Sequence, residues 1–201
     1  MCGDHLRPGG LAAHAARLDD RDGSEGRVGV DVDLEHHQLA LRATGRDLGL
    51  GLGFQVWIAS NDRSRDYLDG RLGDGCLECL PVALDGTADS VRLIDVVWLE
   101  VGGGRVAAAF EVEHSTSIYS GIVRMLDLAL GSAVAAGTTM FLVAPDNRRD
   151  EVAQQLRRPA FSRVSELGIR YLPYGELRSN RAAISRFGTG LKPLLEISQT
   201  L

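Results

Sequence analysis

Three acidic residues stand where the chain otherwise calls for burial: Asp95 in "RLIDVVWL", and Glu111 and Glu113 in "AAAFEVEHS". Successive side chains of an extended segment point to opposite faces, so Glu111 and Glu113 share one face. Leu93, Ile94, Val96, Val97 and Leu99 surround Asp95 with apolar neighbours, an expensive setting for a carboxylate without a partner. Acids held this close repel each other and resist losing water. That leaves three outcomes: protonation at raised pKa, pairing with arginines, or capture of a hard divalent cation. Oxygen-only ligands favour Mg2+ or Mn2+ over zinc or copper. Such an ion orients and acidifies a water and neutralises charge on phosphate oxygens, which suits phosphodiester hydrolysis. A half-exposed strand with a solvated face would account for Glu111 and Glu113 alone, but it leaves Asp95 unexplained.

The elements that must bring these acids together follow from periodicity. Strands at about 91–100 and 105–113 flank the glycines at 102–104 and form a hairpin, with a bulge or slip settling the register. Before them, "DLEHHQLALRATGRDLGLG" has Leu34, Leu41 and Leu48 on one helical stripe with Asp33 as cap, and "FQVWIAS" is a strand. The stretch "NDRSRDYLDGRLGDGCLECLP" is a long loop with turn signals at Asp69-Gly70 and Asp74-Gly75. After the hairpin, "SIYSGIVRMLDLALGSAVAAG" is a helix with Ser115 or Ser117 as cap, and "TTMFLVAP" is a buried strand. "DNRRDEVAQQLRRPAF" is a helix broken at Pro159, "IRYLPY" is a last strand, and "GELRSNRAAISRF" is a closing helix. The order α-β-β-β-α-β-α-β predicts an α/β domain with a mixed central sheet and helices on its faces.

The "ID" at 94–95 and the "FEVE" at 110–113, on a hairpin followed by the helix "SIYSGIVRMLDL", resemble the PD-(D/E)xK nuclease superfamily. Through the order of elements the resemblance extends over roughly residues 34–177. It implies a restriction-endonuclease-like fold and cleavage of DNA by a domain that uses Mg2+ or Mn2+, with a homodimer as one arrangement open to it. By the motif, Asp95 and Glu111 match the metal-binding positions. Glu113 falls where the family most often has lysine, and in E-x-E members the second glutamate serves as base or further metal ligand. The family also places an acidic residue on the helix before the sheet, for which Glu35 is the candidate. Arg124, on the polar stripe Ser120-Arg124-Asp127, either replaces the missing lysine's charge or pairs at the surface near Asp127. Should the site have decayed, the same fold serves as a non-catalytic module that binds nucleic acid or protein.

Other candidates have plainer readings. His36 and His37 beside Glu35 read as polar helix-start residues, and strand alternation turns His114 away from the glutamates. Arg63, Arg65 and Tyr67 lie on a charged loop that could approach a phosphate backbone, although such loops are mostly just solvated. The formal charge of −5 supplies no global basic field, which argues against a protein that coats DNA but not against an enzyme with a local groove. Cys2, Cys76 and Cys79 form no disulfide framework, and the CxxC pair lacks the partners of a zinc site. Residues 1–30 read as a disordered leader, 31–187 as the domain and 188–201 as a tail. With no apolar run of membrane-spanning length and no secretory signal, the expectation is a cytoplasmic protein.

Overall fold

A computed structural model describes residues 24–85, 89–102, 104–114, 118–161 and 167–201. Helix α1 (Ser24–Gly51) leads into β1 (Gln55–Ile58), a two-rung hairpin of β2 (Asp66–Tyr67) and β3 (Gly70–Arg71), and the short α2 (Val82–Asp85). β4 (Val96–Leu99), β5 (Val106–Val112), α3 (Ile118–Gly131), β6 (Thr139–Ala144), α4 (Arg149–Leu156) and β7 (Arg170–Pro173) follow. The chain ends in α5 (Tyr174–Phe187), α6 (Lys192–Ile197) and β8 (Gln199–Thr200).

Six strands make one sheet in the order β1-β4-β5-β6-β7-β8. β1, β4 and β5 are antiparallel neighbours, β5, β6 and β7 are parallel, and β8 returns antiparallel along β7. This is the mixed sheet expected of a restriction-endonuclease-like fold. β4 is buried at every position, because both faces of the sheet are covered and alternation has no solvent side to mark. Leu41 and Leu48 of α1 and Leu177 and Ile184 of α5 pack against Val96, Trp98, Phe110 and Val112 on one face. Ile118, Ile122 and Met125 of α3 and Val152 of α4 pack against Met140, Leu142 and Tyr171 on the other.

α1 lies unusually close to the sheet. The Trp98 indole N–H donates to the Gly45 carbonyl at 3.0 Å. A Cβ on Gly49 would stand 2.5 Å from Trp98 Nε1 and 2.7 Å from Val56 Cγ2. Gly49→Ala is therefore expected to cost about 2 kcal/mol through overpacking. Gly45→Ala, whose Cβ would meet nothing nearer than 3.4 Å, should cost clearly less. Urea unfolding of the two variants measures the difference.

Several boundaries differ from expectation. The first hairpin strand is shorter than 91–100: residues 89–93 coil into a 3-10 helix, and Asp95 lies at a bend just before β4. The reason is local pairing. The Ser60 and Ala59 amides donate to the Arg92 and Asp95 carbonyls, so this backbone is taken up by the turn after β1. The bulge falls between Trp98 and Leu99. α1 begins at Ser24 rather than Asp33, since no proline interrupts the segment and its buried C-terminal half anchors the helix. The rest of the leader, and the caps Ser115 and Ser117, lie outside the described residues. The loop after β1 contains the β2–β3 hairpin. Beyond Gly188, α6 and β8 join the fold: Leu194 is fully buried, and Arg170 donates to the Leu195 and Ser198 carbonyls. Among the described residues no helix is long and apolar enough to cross a membrane.

Candidate active site at the carboxyl end of β5

The start of β4 and the end of β5 meet where Val96 pairs with Phe110, so Asp95 comes opposite Glu111. This is also the carboxyl end of the parallel strands, where open α/β sheets form their clefts. All three acids are withdrawn from solvent: Glu111 is fully buried, Asp95 is 5% exposed and Glu113 8%. Room for the two glutamates comes from Gly121 of α3. A Cβ there would stand 2.9 Å from Glu113 Oε1 and 3.2 Å from Glu111 Cβ. Both glutamates thus point toward α3, as alternation requires.

Arginines answer most of the buried charge. Arg124 grips Glu111 with two bonds, Nε to Oε1 at 2.8 Å and Nη2 to Oε2 at 2.5 Å, and lies 3.9 Å from Glu113 Oε1. Of its two expected placements, the one beside the acids holds. Asp127 instead accepts from the Ser90 hydroxyl. Asp95 accepts from Arg42 Nε at 2.8 Å and, through its other oxygen, from the Val112 amide at 2.7 Å.

Burial is the larger influence on all three acids. It pushes Glu111 up to about 8 against the pull of Arg124. Burial and then the Asp95 charge push Glu113 up to about 7. Asp95 is also raised, again by burial, with Arg42 and the Val112 amide opposing.

Glu35 is not brought into this group. It is exposed on α1, two helical turns before Arg42, and pairs with Arg65 at 3.2 Å. Arg65 reaches Asp62 at 3.4 Å, and Asp62 shares Arg42 with Asp95 at 3.6 Å. Arg42 and Asp62, both missed from the sequence, therefore connect Glu35 to the site indirectly. Asp62 is 5% exposed within "SNDRS", a context that reads as solvated loop. The one sequence signal for Arg42 is its place inside the apolar run Leu39–Ala43 of α1.

Arg148, just ahead of α4, donates to the His114 carbonyl at 2.7 Å. The Tyr174 hydroxyl donates to the Glu113 carbonyl at 2.8 Å. His114 turns away from the glutamates as expected, its ring centroid 6.1 Å from Tyr174 and 6.3 Å from His37. Its Nδ1 is buried and has no hydrogen-bond partner among the described residues. Arg63 donates to the Leu77 and Glu78 carbonyls, so it holds its own loop together. Burial raises the Cys76 thiol to about 11, which fits the inert reading of the CxxC pair.

The donor chemistry of Asp95, Glu111 and Glu113 suits a hard cation, but their placement is arginine-paired. Among the described residues no three His, Cys, Asp or Glu side chains are set to hold a metal ion as they stand.

The family model for the C-terminal domain of the type II restriction enzyme NmeDI matches residues 18–188. The chain belongs to the NmeDI C-terminal domain family. The match takes in α1 through α5, and with them every residue of the carboxylate site. The type II restriction enzyme NmeDI of Neisseria meningitidis serogroup C is 33% identical over 152 residues, covering 72% of this chain and 42% of that enzyme. The chain thus spans less than half the length of the curated relative it matches. No solved structure matches it. In this NmeDI-family domain the site is carried by the central hairpin and α3, with α1 and α5 closing over it.

Proposed function

We propose that the chain is a nuclease domain of the PD-(D/E)xK kind that hydrolyses DNA phosphodiesters with Mg2+ or Mn2+. The observation that carries this reading is the convergence of Asp95, Glu111 and Glu113 at the end of one hairpin, buried, inside a domain related to a restriction enzyme. Asp95, Glu111 and Glu113 would hold the ion, which when bound would acidify a water and offset charge on the phosphate. The chain's own residues prepare that state. Arg42 and the Val112 amide fix Asp95, Gly121 leaves space for both glutamates, and Arg124 shields Glu111 until it is needed. Once released, Arg124 supplies the cation that a lysine at position 113 would have given. Glu113, its carboxyl raised by burial, would accept the proton of the attacking water. Glu35 has at most an indirect part, through Arg65, Asp62 and Arg42. Two copies, each cutting one strand, would make a double-strand break.

A second reading has its own support. With Glu111 and Asp95 both held by arginines, the domain could keep its fold for nucleic-acid contact without chemistry. Calorimetric titration with Mn2+ separates the two. The nuclease reading expects binding that Glu113→Gln weakens about tenfold or more, in line with the loss of one ligand. It also expects divalent-dependent nicking of supercoiled plasmid that EDTA abolishes. No Mn2+ binding and no nicking would leave the binding module.

A further inference from the structure

Between α1 and α5 a cavity of about 400 Å3 opens, lined among others by His37, Thr44, Tyr67, Leu177, Arg178 and Arg181. Its size falls in the range of small-ligand pockets. Its walls differ in chemistry. Arg178 and Arg181 stand three residues apart on α5, so they share one helical face. Among the described residues Arg178 has no ion-pair or hydrogen-bond partner, whereas Arg181 reaches Asp47 at 2.8 Å. Tyr67, delivered by the β2–β3 hairpin, lines the same cavity.

That hairpin is held firmly. The Arg46 guanidinium lies 6.0 Å from the Tyr67 ring centroid and donates to the Arg71 and Leu72 carbonyls at 3.2 Å and 3.1 Å. At the hairpin's tip Leu68 is 85% exposed with φ of 53°, a conformation that a branched side chain adopts only where its surroundings impose it. One ring separates the cavity from the end of β5. His37 lies 5.3 Å from the Tyr174 ring, whose hydroxyl binds the Glu113 carbonyl.

A cavity lined by two arginines, an aromatic ring and Leu177 matches the division of a nucleotide into phosphate and base. We propose that this cavity holds one nucleotide of a DNA strand, its phosphate on Arg178 and Arg181 and its base against Tyr67. The proposal deepens the nuclease reading and rests on it for the identity of the strand.

The test is anisotropy of a fluorescein-labelled single-stranded DNA 12-mer with the full chain in EDTA, where no cleavage intervenes. Arg178→Ala is expected to weaken binding about tenfold and to reduce the slope of log Kd against log salt by about one. Tyr67→Ala should weaken binding about tenfold at every salt concentration without changing the slope, and Tyr67→Phe, which keeps the ring, should bind like the parent. Thermal unfolding checks that each variant is folded. Wild-type affinity and slope in both alanine variants, or no binding by the parent, overturns the proposal. The two readings fail separately. A chain that binds through Arg178 and Tyr67 but never cleaves refutes the nuclease and leaves the cavity assignment. A chain that cleaves while both variants bind like the parent refutes the cavity alone.

Discussion

Asp95→Asn is expected to abolish divalent-dependent plasmid nicking, by about 1,000-fold or more, while leaving the domain folded. One oxygen of Asp95 accepts from the Val112 amide at 2.7 Å, and an asparagine carbonyl can keep that bond. Its amide nitrogen gives up the bond from Arg42 Nε at 2.8 Å, so some stability is lost but less than in the alanine variant. What asparagine cannot supply is the negative charge, and on the nuclease reading a bound metal ion, worth several kcal/mol of transition-state stabilisation, would depend on that charge. Asp95→Ala is the harsher change. Like asparagine it leaves Arg42, whose side chain is 12% exposed, with Asp62 at 3.6 Å as its remaining carboxylate among the described residues, and in addition it strands the Val112 amide. Breaking a buried ion pair from one side costs about 3 kcal/mol or more, so Asp95→Ala should unfold at markedly lower urea. Nicking assays and urea curves on the two variants therefore separate chemistry from folding. Full activity in Asp95→Asn would remove Asp95 from the mechanism.

Stability in EDTA should decline as pH rises from about 4.5 to 8 and level off above that, the reverse of an ordinary acidic protein. Glu113 is lifted to about 7 and Glu111 to about 8, both from an ordinary value of 4.5 and both chiefly by burial. The folded chain therefore holds protons that the unfolded chain releases. The stabilisation is complete below the unfolded value of 4.5 and disappears as pH climbs through 7 and 8. Glu113 alone accounts for a loss on the order of 3 kcal/mol, and Glu111 acts in the same direction. A divalent cation takes the place of those protons, so Mn2+ affinity should tighten about tenfold per pH unit for each proton displaced and level off above pH 8. Thermal melts across this range, with EDTA and with Mn2+, read both effects. A melting temperature independent of pH in EDTA would contradict the burial of these acids.

The sequence carried the topology well because its strongest signals are the ones topology depends on. Apolar strands bounded by glycine turns, and the Ile118–Leu128 stripe of α3, admit few arrangements. The acidic trio was legible for a related reason, since carboxylates amid apolar neighbours demand partners. Their partners were harder to see. Arg42 lies 53 residues from Asp95, and only the docking of α1 on the sheet brings the two together. Arg124 had two equal readings on its helix, and the choice between them depended on Gly121 letting α3 approach Glu111. The start of β4 was misplaced because an apolar run does not distinguish a strand from a 3-10 turn that pairs with a different neighbour.

The hydroxyl of Tyr174 on the Glu113 carbonyl has a consequence for the order of synthesis. A chain growing from its amino end displays its acids once residue 113 has emerged. Their clamps at Arg124, Arg148 and Tyr174 come later, in that order. A ribosome-bound fragment therefore bears the charges without the frame that aims them. The framed site exists only after residue 174 has emerged and α5 has docked.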